Sequence, residues 1–390
     1  MDWVDLVLVL ALLAAAVHGL RLGALVQMLT FGGFWLGITL GALLSVAIAP
    51  HLHSVGLKAG VTLLCVFGLA LVLGVSGRVL GAWSHAAVRR LRLGPLDSAA
   101  GVVVALAAVL LTAWVLGSVL SQSRYAWLNR QIEGSSVLRT VDDVMPPVPD
   151  VYAKIQSFLD NTGFPPVFAE LAPPTAQPVA VPSDPEAQAI AREAAASTVK
   201  ILGQACGYLQ EGSGFVAGAG LVVTNAHVVA GERATQVVVG GVSYPATPVL
   251  VDPDLDVAVL RTDAPLGPVL RLDPSAVARG TQGAVLGYPE DGPLTAGPAG
   301  VAAAITAQGR NIYNQGFVIR QVYQIDADVQ PGNSGGPLVM RGGSVIGVVF
   351  SRSTTDANVG YALTSPEVLA RVGRAASLQS PVSTGACTQG

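Results

Sequence analysis

The chain has 390 residues, of which 51% are hydrophobic and 12% charged, with a formal net charge of −3. A mean hydropathy of +0.56 is too high for one soluble protein and suggests a membrane part. The absence of any long basic run argues against nucleic acid as the main partner. The three cysteines form no Cys/His cluster with zinc-ligand spacing, and neither a Walker A motif nor a dinucleotide fingerprint is present, so no cofactor is expected.

Four apolar segments dominate residues 1–120: about 4–17, 25–49, 61–83 and 99–120. A helix rises about 1.5 Å per residue and a bilayer core of about 30 Å needs about 20 residues, so the last three reach across easily. The first is short and opens on Asp2 and Asp5. It lacks the basic start and small-residue cleavage site of a signal peptide. Arg78, Arg89, Arg90 and Arg92 place the 84–98 loop in the cytoplasm. Counting outward puts both termini, and everything after residue 120, outside. Gly33, Gly37 and Gly41 form G-x-x-x-G repeats, a spacing that lets helices approach closely but is also common in membrane helices generally. His18 and Cys65 are assigned to packing or helix boundaries.

Residues 121–197 read as a connector. Residues 151–159 suit a short amphipathic helix, and the prolines from Pro165 to Pro185 suggest an extended linker open to cleavage. Asp184 before Pro185 suggests an N-cap, with a helix to about Ala196.

From Thr198 the pattern changes to short β-rich runs broken by glycine: 198–202, 214–216, 221–224, 236–239, 258–261, 282–287, 300–306, 317–324, 338–340, 345–350 and 359–362. Strands at this spacing indicate sandwiches or barrels. A helix capped by Ser365 with Pro366 at its first position follows.

Three stretches carry the chemistry. Pro331-Gly332-Asn333-Ser334-Gly335-Gly336-Pro337 sets a serine between glycines, in a turn able to gather backbone N–H groups. Val222-Val223-Thr224-Asn225-Ala226-His227 is an apolar strand ending on a histidine, and Asp256 opens the apolar run Val257–Leu260. The order is His, Asp, Ser, separated by 29 and 78 residues. His227 is the one histidine beyond the apolar region, so it has no rival base there. Asp252 and Asp254 compete with Asp256 and read as solvated loop residues.

These blocks resemble the catalytic blocks of trypsin-like serine proteases, especially the bacterial HtrA-type branch, over about residues 198–378. The resemblance implies two antiparallel β-barrels, with Ser334 as nucleophile, His227 as general base and acid, and Asp256 as the orienting carboxylate. It also implies an oxyanion hole from the N–H groups of Gly332 and Ser334. Asp328 matches the position at the base of the primary specificity pocket in trypsin and would favour Lys or Arg. Arg352 is the alternative occupant, and Phe350 and Ser351 on the same strand are assigned to substrate binding. No PDZ-like region and no zymogen-type start follow the family pattern, so control is sought in the membrane part or in loops 288–299 and 309–316. The four-helix region resembles the colicin V production family. The whole layout is similar to actinobacterial, especially mycobacterial, membrane-anchored proteases, which implies a role in tolerating acid and oxidative stress.

The expected molecule is thus multidomain: a four-helix transmembrane region (1–120), a Pro-rich extracytoplasmic linker (121–197) and an all-β chymotrypsin-like protease domain (198–390). It would be a multi-pass protein of the cell membrane whose partners are the lipid bilayer and polypeptides of the envelope, its own linker among them. The alternative is a non-catalytic pseudoprotease or membrane scaffold that binds peptides. Cys206 and Cys387, the two cysteines outside the apolar region, are expected to form a disulfide.

Overall fold

The computed structural model describes residues 3–48, 55–90, 94–121, 125–145, 167–168, 176–205 and 208–388. They fall into two compact units, 1–121 with 131–155, and 122–130 with 156–390.

The first unit is built on α1 (Trp3–Leu22), α2 (Ala24–Ile48), α3 (Val55–Arg90) and α4 (Gly94–Leu120). All four are long and apolar enough to cross a membrane. The expected 84–98 loop is mostly helical, since α3 runs to Arg90 and α4 starts at Gly94. α1 has 20 residues, longer than the 4–17 segment, and its early acid has a partner. Asp5 is buried and accepts from Ser135 Oγ (2.6 Å) and from the N–H groups of Ser136 and Val137 (3.3 Å each). It thereby caps α6 (Ser136–Asp142), which follows α5 (Ala126–Gly134). α1 and α2 meet at Gly23 (φ 77°), and Asp97 Oδ1 caps α2 through Ala24 and Leu25 N–H. The glycine repeat is an interface: a Cβ at Gly33, Gly37 or Gly41 would overlap the backbone of α3, whereas one at Gly32 would meet nothing within 4 Å.

The connector departs from a free linker. The expected helix over 151–159, Pro165-Pro166 and Pro173-Pro174 lie outside the described residues. Val167 and Phe168 are buried, Phe168 meeting Tyr361 edge-on at 5.4 Å between ring centroids. Residues 176–180 are tied to the second barrel: Ala176 N–H donates to Gln324 Oε1 (3.1 Å) and Val179 N–H to Asp326 Oδ2 (2.5 Å). Arg279 Nη2 donates to Pro178 O and Gln282 Nε2 to Ala180 O. α7 (Asp184–Arg192) follows, and its N-cap is Ser183, reciprocally bonded with Glu186, rather than Asp184.

The second unit holds two closed antiparallel barrels of six strands each. The first is formed by β1 (Thr198–Ala205), β2 (Tyr208–Gly218), β3 (Leu221–Thr224), β4 (Glu232–Val239), β5 (Val242–Asp252) and β6 (Val257–Thr262). The second is formed by β7 (Gln282–Gly287), β8 (Thr295–Gly309), β9 (Val318–Asp326), β10 (Pro337–Met340), β11 (Val345–Arg352) and β12 (Val359–Thr364). This is the expected double barrel. β5 escaped the sequence reading because Pro245 and Pro248 interrupt it, and the sheet absorbs Pro248 at a register shift against β6. Residues 295–299, read as part of a Gly/Pro-rich loop, are the start of β8, paired with β7. α8 (Ser365–Ala375) follows β12, with Thr364 rather than Ser365 at its N-cap position.

Ile201, Val222 and Leu260 fill the first barrel, and Tyr323, Ile325 and Leu338 the second. Phe215, Leu286, Phe350 and Tyr361 belong to a third cluster drawn from both barrels, which fixes one barrel against the other.

Candidate active site

Strand register brings the histidine to the aspartate. β3 pairs with β6, with Thr224 opposite Ala258. Past Thr224 the chain enters a one-turn helix, Ala226–Val229, that carries His227. On the partner strand, Asp256 immediately precedes β6. The side chains meet: His227 Nδ1 lies 2.7 Å from Asp256 Oδ2, and His227 N–H donates to Asp256 Oδ1 at 2.9 Å. Both carboxylate oxygens are thus bound to one residue, which fixes the ring as well as its tautomer.

Asp256 is fully buried with φ 65°, a left-handed conformation that costs a non-glycine residue about 1 kcal/mol or more. Its surroundings hold that conformation. Asp256 N–H donates to Asp252 O (2.9 Å), and Asn225 Nδ2 donates to Asp256 O (2.7 Å). The rival acids have other partners. Asp254 is exposed and accepts from Asn311 Nδ2. Asp252, expected to be solvated, is half-buried, ion-paired with Arg371 (2.9 Å) and accepts from the N–H groups of Asp254 and Leu255.

Ser334 comes from the second barrel, on the turn between β9 and β10. Asn333 N–H donates to Gln330 O (3.0 Å) and Gln330 N–H to Asn333 Oδ1 (2.8 Å), closing the turn. Gly332 has φ 93°, and a Cβ there would overlap Tyr288 O; Gly335 has φ 82°, and a Cβ there would overlap Ser213 O. Only glycine fits both conformation and space. Among the described residues the Gly332 and Ser334 N–H groups donate to no protein acceptor. His227 Nε2 is buried and likewise has no protein partner. His227 Nε2 makes no hydrogen bond to Ser334, and catalytic contacts often tighten only around substrate; a free ring nitrogen is suited to take a proton, and the unspent N–H groups of Gly332 and Ser334 to stabilise an oxyanion.

Three residues of the site were not found in the sequence. Ser213 on β2 joins the barrels: its Oγ donates to Gly332 O (2.6 Å) and accepts from Tyr288 N–H (2.9 Å), and its N–H donates to Ser334 O (2.8 Å). Gln210 Nε2 donates to His227 O. Arg320 on β9 is 1% exposed; its Nε donates to Asp254 O (2.7 Å) and its Nη2 to Arg310 O (2.8 Å). Burial lowers the Arg320 pKa, and the carboxylates of Asp256, Asp254 and Asp252 oppose that shift. No local pattern marks these residues; a serine or arginine inside a strand acquires such a role through its neighbours across the barrels.

The residues assigned to substrate binding are scattered in environment. Asp328 is exposed and bonded to Gln330 Nε2 (2.9 Å). Phe350 is fully buried in the cluster shared by both barrels, Ser351 is 2% exposed, and Arg352 is half-buried. Cys387 lies in the C-terminal tail; Cys206 is outside the described residues. Among the described residues no group of His, Cys, Asp and Glu could hold a metal ion.

The double barrel, with this His–Asp pair on a buried carboxylate and a serine in a glycine-rich turn, defines a trypsin-like serine protease. Residues 212–348 match the model of the trypsin-like peptidase domain family, and residues 4–146 match that of colicin V production proteins. Serine protease Rv3671c of Mycobacterium tuberculosis is 37% identical over 393 residues, 99% of this chain and 98% of that one. The crystal structure of the active form of that protease superposes with a TM-score of 0.54 at 39% identity, over 56% of this chain and 97% of the solved one. Bovine mitochondrial serine protease HTRA2 is 39% identical over 152 residues, 38% of this chain and 32% of that one. The chain belongs to the family of the mycobacterial serine protease, and joins a colicin V production-type helical region to a trypsin-like peptidase domain.

Proposed function

We propose that this protease is a membrane-anchored endopeptidase acting outside the cytoplasm, on envelope polypeptides and on its own connector. Ser334 attacks the scissile carbonyl while His227 Nε2 takes its proton, and Asp256 stabilises the imidazolium. The Gly332 and Ser334 N–H groups receive the oxyanion. His227 then protonates the leaving amine, and water resolves the acyl-enzyme by the same steps in reverse. The observation that carries this reading is the doubly bonded His227–Asp256 pair, its carboxylate fully buried, together with a serine turn whose N–H donors are unspent.

The location rests on the arginines near residues 78–92 and the four apolar helices. A disulfide between Cys206 and Cys387 belongs to the same proposal. The tail supports it: Gly231 N–H donates to Thr384 O (3.2 Å) and Thr384 Oγ1 to Glu232 O (2.9 Å). Glu232 pairs with Ala205 at the end of β1, one residue before Cys206. The role in acid and oxidative stress implied by the family resemblance is part of this reading, and the behaviour of Glu232 described below favours stability of the folded protease unit at acid pH.

The test is a fluorophosphonate probe with Ser334→Ala as control. The wild type should label and hydrolyse peptides; the variant should fold, remain unlabelled and lose several orders of magnitude in rate. Near-normal turnover by a pure Ser334→Ala sample would end the assignment, and an unlabelled wild type would favour the peptide-binding pseudoprotease.

A further inference from the structure

The helical unit contains a cleft that the protease chemistry does not use. α3 lies against α2 along the glycine row, with Gly37 and Gly41 of α2 facing the backbone around Ala70 and Cys65. Gly19 of α1 and Gly101 of α4 make an equally close crossing. The space left between these two tight pairs is a cleft of about 660 Å³, lined by all four helices. That volume lies in the range of ligand sites, which run about 300–1,000 Å³.

The lining is sorted by polarity. His18, Gln27, Thr30 and Arg78 contribute its polar groups, with Thr30 Oγ1 already donating to Val26 O, and Phe34, Phe67 and Leu71 are among its apolar ones. Arg78 and Phe67 lie on one helix, eleven residues apart. That separation is about 16 Å along the axis, roughly one leaflet of a ~30 Å hydrocarbon core. Gln27 is already held: its Nε2 donates to the carbonyls of Gly19, Gly23 and Gly101. Arg78 and His18 are both exposed, and the described lining contains no acidic residue. Asp97, near the same end, accepts from the first amides of α2.

A cationic mouth above an apolar slot one leaflet deep is complementary to an amphiphile with an anionic head. We infer that the cleft binds one anionic phospholipid of the leaflet at the α1–α2 hairpin end, its phosphate on Arg78 and His18 and one acyl chain running toward Phe67. An arginine set this way attracts anionic lipid over zwitterionic lipid, and the apolar slot holds the chain in place against exchange.

The test uses the full-length chain reconstituted in phosphatidylcholine vesicles carrying a trace of photoreactive lipid, with a diazirine on the acyl chain. Two probes are compared, phosphatidylglycerol and phosphatidylcholine. Crosslinks from phosphatidylglycerol should fall on peptides spanning residues 27–34 and 67–78, at least fivefold above those from phosphatidylcholine. Arg78→Gln should reduce the phosphatidylglycerol signal to the phosphatidylcholine level, and Arg78→Lys should restore it. Ala108→Trp, which fills the cleft from α4, should remove the crosslinks near Phe67. Equal labelling by the two probes, a preference that survives Arg78→Gln, or crosslinking confined to the outer faces of the helices would each overturn the inference, leaving ordinary surrounding lipid. If Ala108→Trp fails to fold, the Gln and Lys variants of Arg78 decide.

Discussion

The carboxyl of Glu232 ties the stability of this protease to pH. Glu232 on β4 is buried, and that burial raises its pKa to about 7, against a weaker lowering by the bond from Thr235 Oγ1. Its Oε1 has no protein partner. The folded state therefore binds a proton that the unfolded chain, with an ordinary carboxyl of 4.5, releases between those two values. Stability rises as pH falls from about 7 toward 4.5 and is level below, a span worth roughly 3–4 kcal/mol. Glu232→Gln removes the ionised form altogether. The variant should melt several degrees above the wild type at pH 8, and the gap should close near pH 4. Thermal unfolding of the protease unit at the two pH values measures this; a gap that widens on acidification contradicts it.

Two elements depend on more than their own propensity, one on close helix approach and one on the proposed disulfide. α2 and α3 meet through glycine, so Gly37→Leu should separate them, while Gly32→Leu, which faces open space, should be tolerated. Cysteine pairs placed across the two helices should crosslink in the second variant and not in the first. The C-terminal tail is the other case. The proposed bridge closes a loop of 181 residues and would contribute about 3–5 kcal/mol on chain-entropy grounds. Intact-mass analysis after alkylation without reduction should show neither Cys206 nor Cys387 modified; uptake of two alkyl groups refutes the bridge.

For the molecule as a whole, the decisive question is which side of the membrane the protease unit occupies. An engineered cysteine at Arg90 should be shielded from an impermeant label in intact cells, and one at Ser183 should react. The opposite pattern inverts the topology. Anchoring fits the connector, which is more than a spacer: Val167 and Phe168 are buried, and residues 176–180 are hydrogen-bonded along the second barrel. Release from the membrane by cleavage of the connector would leave those contacts with the protease when the cut falls before residue 167.

Residue order alone determined the division into apolar helices and β-rich protease, the His227, Asp256 and Ser334 candidates, and most strands. Those signals are local: hydrophobic runs, glycines around a serine, an acid abutting a strand. β5 was lost because proline contradicts strand propensity unless a register shift accommodates it, and that shift exists only against β6. The tertiary structure alone decided that Asp252 pairs with Arg371, that Asp5 caps α6, and that Ser213 and Arg320 join the two barrels at the site. Each depends on residues distant in sequence arriving at hydrogen-bond distance. Such contacts are set by strand register and barrel closure, and no window of sequence contains them.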